Sequence, residues 1–297
     1  MIEGPRANPS LSVKVQVSGG LGNQLFMLVR AVGLSYELSE AKVSAQFASH
    51  MRGRQLSVVN HLDMKSFLGP TIKMLNLESK GSFSRGIIRL LSLEQRLAID
   101  ELGFSPTPVF QPKKTTRLIG YFQSNLYLQA LRQYGAPFEL EPLDPSPIFS
   151  RLSSDIAAEK VGLLHVRKGD YANHSSTIGL LDIEYFSSAS ERLRHSGVKQ
   201  ILVSSDDRGW LKENLRSLPK FDYLDISSIP FRGDYEVLAL ASTVDVIACS
   251  NSSFSWWAAM SGKKKLVIKP SKWYKGMDDP NRLFDESQVE NIPSSWC

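Results

Sequence analysis

Cysteine is nearly absent: the chain of 297 residues has two, Cys249 and Cys297. Two isolated thiols cannot build a disulfide framework, and neither sits among histidines as a zinc ligand would. Cys249 closes an apolar stretch and reads as core, while Cys297 reads as loose. Long hydrophobic runs are also missing. The best candidate, Val237 to Cys249, is interrupted by Asp245 and falls short of the roughly 18 residues a membrane span needs. Met1 to Ser10 contains no apolar signal core. It reads as a disordered lead-in, and the expected location is the cytoplasm. Concentrated charge is lacking too. Lys263-Lys264-Lys265 is the densest basic cluster, too short for a nucleic-acid footprint, so no nucleic-acid partner is expected. The formal net charge of +5 and pI near 9.1 favour an anionic ligand, or peripheral contact with the inner, anionic face of a membrane, but only weakly. With 20 glycines and 15 prolines, collagen-like and low-complexity classes are excluded.

What is present is ordinary globular composition, 42% hydrophobic and 22% charged. The length suggests two domains at roughly 150 residues each. Strands alternate with helical periods, which argues for an α/β fold. Strands are expected at Ser12 to Ser18, Lys42 to Phe47 and Arg117 to Phe122. Helices are expected at Leu25 to Leu38, around Ile87 to Leu97, and at Leu126 to Tyr134. Four prolines between Pro137 and Pro147 exclude a regular element there and mark a domain crossing. Beyond it the rhythm is cleaner. Strands are expected at Gly162 to Val166, Gln200 to Ser204, Tyr223 to Ile226, Val244 to Cys249 and Lys265 to Ile268. Helices fall at Ile183 to Arg194, Gly209 to Leu215, Asp234 to Ser242 and Ser255 to Met260. The expected domains are residues 11–145 and 146–297, two Rossmann-like units facing a cleft. Ligands in such sheets bind beyond the carboxyl ends of the strands, so the residues after each strand carry the chemistry.

After the first strand comes Gly19-Gly20-Leu21-Gly22-Asn23-Gln24. Glycines allow a ligand close to the backbone, and the next helix offers free N–H groups to an anion. A dinucleotide fingerprint wants a third glycine where Leu25 stands, so NAD is disfavoured. After the strand ending at Val166 comes Arg167-Lys168-Gly169-Asp170-Tyr171. Strand alternation puts His165 and Arg167 on one face, and the guanidinium suits phosphate oxygens held bidentately. Asp170 can pair with it. After Gln200 to Ser204 come Asp206 and Asp207. Asp207 reads as a helix cap, and Asp206 is left as a ligand contact. After Val244 to Cys249 comes Ser250-Asn251-Ser252-Ser253-Phe254-Ser255-Trp256-Trp257. Hydroxyls and free N–H groups at a helix start can cradle a phosphate without charge, although plain N-capping by Ser252 or Ser253 explains the same residues.

Three segments together resemble glycosyltransferase family 11, the α-1,2-fucosyltransferases. They are Gly19 to Phe26, His165 to Tyr171, and Asn251 to Trp257, supported by Gly120-Tyr121-Phe122-Gln123-Ser124, Ser204 to Asp207, and Lys272-Trp273-Tyr274. The motifs keep the family's order over about residues 12 to 275. The resemblance implies a GT-B-like fold and an inverting transfer of L-fucose from GDP-β-L-fucose to the 2-hydroxyl of a galactose-type acceptor. It implies neither metal nor other cofactor. The acceptor would be an oligosaccharide or lipid-linked glycan, as in bacterial surface polysaccharide. Residues 11–145 would form the acceptor side and 146–297 the donor side. By the same resemblance Arg167 holds the donor diphosphate and Asn23 lies near the fucose or acceptor hydroxyl; Asp170, on the segment that follows Arg167, is a catalytic candidate for the base. Gly20, Gly22, His165, Asp206, Glu236, Asn251, Ser252, Ser253 and Phe254 would line the donor site, with Glu236 a guanine candidate. A different nucleotide sugar, or a catalytically silent nucleotide-sugar-binding protein, are the alternative readings. His165 and His174 are further candidates for a base, and neither dominates.

Overall fold

A computed structural model describes residues 11–38, 41–48, 115–133, 140–276, 283–284 and 288–297, together with the backbone of two short strands at 76–78 and 94–98. The chain divides into two compact units, residues 1–138 with 280–283, and residues 139–279 with 284–297.

In the first unit the strands are β1 (Ser12–Val17), β2 (Lys42–Phe47), β3 (Asn76–Glu78), β4 (Glu94–Ala98) and β5 (Thr115–Ile119). They form one sheet in the order β3-β2-β1-β5-β4, parallel throughout. Alternation in β1 sends Val13, Val15 and Val17 to the core, all fully buried. Each such side chain contributes roughly 1.5–3 kcal/mol by leaving water. Helix α1 (Leu21–Glu37) is buried nearly all round, including Leu25, Phe26, Leu28 and Val32, the pattern of a helix covered by more than one neighbour. It packs on β1, β2 and α2 (Asn125–Gln133). Its one buried charge, Arg30, is paired with Glu37 at 2.8 Å and lies 4.8 Å over the Tyr127 ring.

The second unit carries α3 (Pro147–Ala158), β6 (Val161–Val166), α4 (Ile183–His195), β7 (Gln200–Ser205), α5 (Arg208–Asn214), β8 (Tyr223–Asp225), α6 (Asp234–Thr243), β9 (Val246–Ala248), α7 (Ser253–Met260), β10 (Leu266–Pro270) and β11 (Val289–Ile292). Its sheet runs β11-β10-β9-β6-β7-β8 and is again all parallel. Every residue of β6 is buried, as expected of a central strand covered on both faces. The connections run from β6 to β7 and β8 on one side, then return to β9 on the other. The order therefore reverses between β6 and β9, and such a reversal leaves a crevice at the carboxyl ends.

Several expectations change. The first helix starts at Leu21, not Leu25, so Gly22, Asn23 and Gln24 lie in its first turn rather than in a loop. The proline-rich stretch does contain a helix start. Ser146 caps α3 by accepting from the Phe149 N–H at 3.2 Å, with Pro147 at the first helical position. Proline is suited to that place because the N–H it lacks would have no partner. The division between units falls at Phe138, upstream of Pro145, and Asp144, expected on the first side, is ion-paired with Arg232 of the second unit. Part of the helix expected around Ile87 to Leu97 is strand β4, paired in register with β5; its earlier part lies outside the described residues. Strand β11 was not expected: Glu290 and Asn291 give it a polar appearance, and its position at the sheet edge permits that. Met1 to Ser10 lies outside the described residues. No helix among the described residues is long and apolar enough to cross a membrane.

Candidate active site

Parallel register builds the site in the second unit. Leu164 of β6 pairs with Ala248 of β9, and Val166 pairs with Ser205 of β7. The residues beyond all three strands therefore emerge side by side. Arg167 lies one residue past β6, so the strand's pleat no longer dictates its direction. Its N–H donates to Ser250 Oγ at 2.9 Å, and its guanidinium turns to the β7 side, where Nη1 meets Asp206 Oδ2 at 3.0 Å. Nη2 meets Asp170 Oδ1 at 2.5 Å. The Tyr171 ring lies 5.0 Å from the guanidinium carbon. Nε is buried with no partner, a cost of about 1–3 kcal/mol that regrouping around a ligand would relieve.

Asp206 uses its other oxygen to accept from the Lys168 N–H at 2.9 Å. Both oxygens thus hold the loop after β6. Asp207 caps α5 through the Trp210 N–H at 2.9 Å, as expected. Gly169 leaves room for that carboxylate: a Cβ would come within 2.2 Å of Asp206 Oδ2. Asp170 is the exposed member of the group, its side chain 64% accessible. His174, at the end of the following 3-10 turn, is exposed.

His165 faces the other way, towards α7. Its ring stacks on Phe254 at 4.9 Å, and Nδ1 lies 2.6 Å from Ser255 Oγ. That hydroxyl accepts from the Ser250 N–H at 3.2 Å, so its proton is free to go to Nδ1. Burial, followed by the Arg167 charge, lowers the His165 pKa to about 3. The ring is neutral, and with the Ser255 proton given to Nδ1 its own proton would lie on Nε2. His165 and Arg167 are therefore neighbours with different orientations rather than two side chains on one face.

The turn after β9 is closed from inside. Ser250 Oγ donates to the His165 carbonyl at 2.8 Å. Asn251 Nδ2 donates to the carbonyls of Ile178 and Gly179 at 3.0 and 3.3 Å, and its Oδ1 is buried without a partner. Ser252 caps α7 through the Phe254 N–H at 3.2 Å. Ser253 opens that helix, half-buried beside Phe254. The Tyr171 hydroxyl donates to the Asn251 carbonyl at 3.1 Å, and burial pushes its pKa up to about 12, so the donor proton stays in place. Tyr171 has no part of its own in the sequence motifs, and Ser250 and Ser255 stand there only among the cradle hydroxyls, whereas all three are cross-braces of this turn. Their part lies in contacts between strand ends, which spacing along the chain does not carry.

Glu236 stands apart from this group. It is fully buried and accepts from the Ser146 N–H at 2.6 Å, from Ser146 Oγ at 2.9 Å and from the Arg232 N–H at 2.9 Å. In this arrangement it ties the start of α3 to the start of α6.

In the first unit the glycine turn has its own geometry. Gly19 is the residue that must be glycine, with φ +77° and the Asn23 amide packed where its Cβ would stand. Gly20 is exposed, with open space above it, and immediately precedes α1. Gly22 is buried in the first turn. Gln24 is buried and donates from Nε2 to the Gly19 carbonyl at 2.8 Å, fixing the turn. Asn23 is half-buried and accepts from Gln123 Nε2 at 3.0 Å.

Fold and site together describe a protein of two Rossmann-like units. The second carries an arginine, flanked by hydroxyls and helix N–H groups, at a topological switch point. Residues 150–284 match the model of Glycosyl transferase family 11. Two curated relatives from Escherichia coli are similar. One is the O-antigen biosynthesis glycosyltransferase WbnK, 30% identical over 41% of this chain and 42% of that protein. The other is an alpha-1,2-colitosyltransferase, 22% identical over 88% of this chain and 92% of that protein. Among solved structures, POFUT1 in complex with GDP-fucose aligns with a TM-score of 0.52 at 10% identity, covering 89% of this chain and 99% of that one. At that identity the likeness speaks for the fold alone, which is of the GT-B type.

Proposed function

We propose that this protein is an inverting glycosyltransferase that moves L-fucose from GDP-β-L-fucose to the 2-hydroxyl of a galactose-type residue in a surface glycan. One observation carries the reading. The Arg167 main chain is bonded to Ser250 and its guanidinium lies on Tyr171, whose hydroxyl is bonded to Asn251. A charged fork and a hydroxyl-lined helix start are thus built as one piece, the arrangement a diphosphate calls for.

The chemistry follows from charge. As the anomeric carbon–oxygen bond breaks, negative charge grows on the departing diphosphate. Donors already aimed at that charge lower the barrier. Arg167 would exchange a carboxylate partner for phosphate oxygens. Ser252, Ser253 and the N–H groups at the start of α7 would receive the second phosphate, and the neutral His165 would donate from Nε2. Phe254 would give the pocket an apolar wall. Asp206 would hold the Arg167 loop, and Asp170 would tune the charge on Arg167. Glu236 remains our candidate for the guanine edge, which would then share the carboxylate with Ser146. Gly20 and Gly22 would let the reacting sugar approach the backbone, and Asn23 would orient the acceptor hydroxyl. Neither metal nor other cofactor enters this scheme. The acceptor would be an oligosaccharide or lipid-linked glycan met at the cytoplasmic face of a membrane.

A colitosyl donor is the second reading, favoured by the full-length similarity to the alpha-1,2-colitosyltransferase. The experiment is GDP release from GDP-fucose and GDP-colitose across a panel of galactosides in the presence of EDTA, with the product linkage read by NMR. An α-1,2 product from GDP-fucose is the expected result. GDP binding with no release under any pairing overturns the transferase reading.

A further inference from the structure

The structure assigns Gln123 a positioning role: its side-chain amide fixes Asn23 as a hydrogen-bond donor towards the reacting groups. The inference rests on the reading above that Asn23 meets the acceptor hydroxyl. Gln123 and Asn23 are 100 positions apart in the chain, yet β1 and β5 are parallel neighbours with Val15 opposite Leu118. The residues beyond both strands consequently leave the sheet at one edge.

The backbone after β5 is shaped for this contact. Phe122 has φ +55°, the one non-glycine residue with positive φ among those described. Such a conformation is uncommon for a bulky residue and is held only where packing over-determines it. Here the ring is fully buried and meets Tyr127 edge-on at 6.3 Å, and the Phe122 carbonyl accepts from the Ser124 N–H at 2.9 Å. The turn delivers the buried Gln123 amide to Asn23 Oδ1. From the other side Gly19 leaves room for the Asn23 amide: a Cβ there would stand 3.0 Å from Nδ2.

An amide with its oxygen already accepting presents its NH2 group. Asn23 thus offers donors and is not a proton acceptor. It can hold an acceptor oxygen by a lone pair and cannot serve as the base. Orientation of this kind matters because a misplacement of about 1 Å can cost on the order of 10²-fold in rate.

The test uses three substitutions in the full chain. Gln123→Glu is isosteric and accepts only, so it turns the Asn23 amide round. Asn23→Asp keeps the bond to Gln123 but has no NH2 to offer. Asn23→Ala removes both. All three are expected to lower kcat for transfer at least about tenfold while leaving the Kd for GDP unchanged. Gln123→Glu is expected to add nothing on top of Asn23→Ala, the signature of one residue acting through another. If Asn23→Ala is impaired while Gln123→Glu transfers at the wild-type rate, the positioning role is wrong and the reading of Asn23 stands. Should Asn23→Ala itself transfer normally, that reading fails and this inference with it. Should Gln123→Glu fail to fold, Asn23→Asp decides: normal turnover there overturns the donor assignment.

Discussion

Arg167 and Asp206 form an ion pair, Nη1 to Oδ2 at 3.0 Å, across the ends of two adjacent parallel strands. The same carboxylate holds the Lys168 N–H, so one side chain from β7 sets both the backbone and the charged tip of the loop after β6. With Asp170 as the second partner, the guanidinium is held between two carboxylates, which under the proposed function an entering diphosphate would displace.

Arg167→Ala is expected to cost about 10²–10³ in kcat, the usual effect of deleting a preorganised donor. Arg167→Lys should recover little, because an ammonium cannot reproduce the fork. Rates of GDP release under saturating donor measure both, and a near-wild-type rate for the alanine variant contradicts the role.

Gly169→Ala pushes against the end of the Asp206 side chain rather than against backbone. The thermal midpoint should therefore change little, within about 1 kcal/mol of stability. Displacing Asp206 releases both Arg167 and Lys168, so GDP affinity should fall about tenfold by titration calorimetry. A large loss of stability with unchanged affinity would reverse this account.

Tyr171→Phe removes the bond to the Asn251 carbonyl and keeps the ring beside Arg167. Its expected effect is about 1 kcal/mol, roughly fivefold in GDP affinity. Tyr171→Ala, losing the platform as well, should weaken binding considerably more. Equal effects of the two would leave the ring without a part in holding Arg167.

With its pKa lowered to about 3, His165 stays neutral in the folded protein where the unfolded chain's histidine, at 6.5, becomes protonated. The folded state binds fewer protons between these values, so this contribution to stability is present above about pH 6.5 and lost as pH falls towards 3. His165→Gln should flatten the acid side of a Tm-against-pH curve. GDP binding by the wild type should show no step from His165 between pH 5 and 8.

Lys264 donates to the carbonyls of Ala241 and Ser242 at the end of α6, and burial lowers its pKa to about 7 from 10.5. Below about pH 7 it is charged in both folded and unfolded states. Between 7 and 10.5 the unfolded chain binds the extra proton, so stability rises with pH across that window. Lys264→Met should remove that rise from the difference between the two Tm profiles.

Much of the fold is legible in the sequence because period and burial coincide. The strand ending at Val166 is an apolar run closed by Arg167-Lys168-Gly169, and in Lys42 to Phe47 the apolar Val43, Ala45 and Phe47 alternate with polar residues. The start of α1 is not legible: Gly22 lowers helix propensity, and only packing of Leu21 and Leu25 in the core offsets that. Ser146-Pro147 looked like a breaker although it is a cap followed by a favoured first residue. β4 and β11 take their identity from the strand beside them, and no local pattern supplies that neighbour.

The chain by itself determined which chemical groups stand after each strand: an arginine with two acids, a hydroxyl-rich helix start, a glycine turn with two amides. Short-range rules of cap, turn and alternation suffice for that. The tertiary structure alone decided which of these groups touch. Parallel pairing of β6 with β7 and β9, and of β1 with β5, brings together residues far apart in the chain. A bond such as Gln123 to Asn23 depends on that register, which long-range burial fixes and local sequence does not.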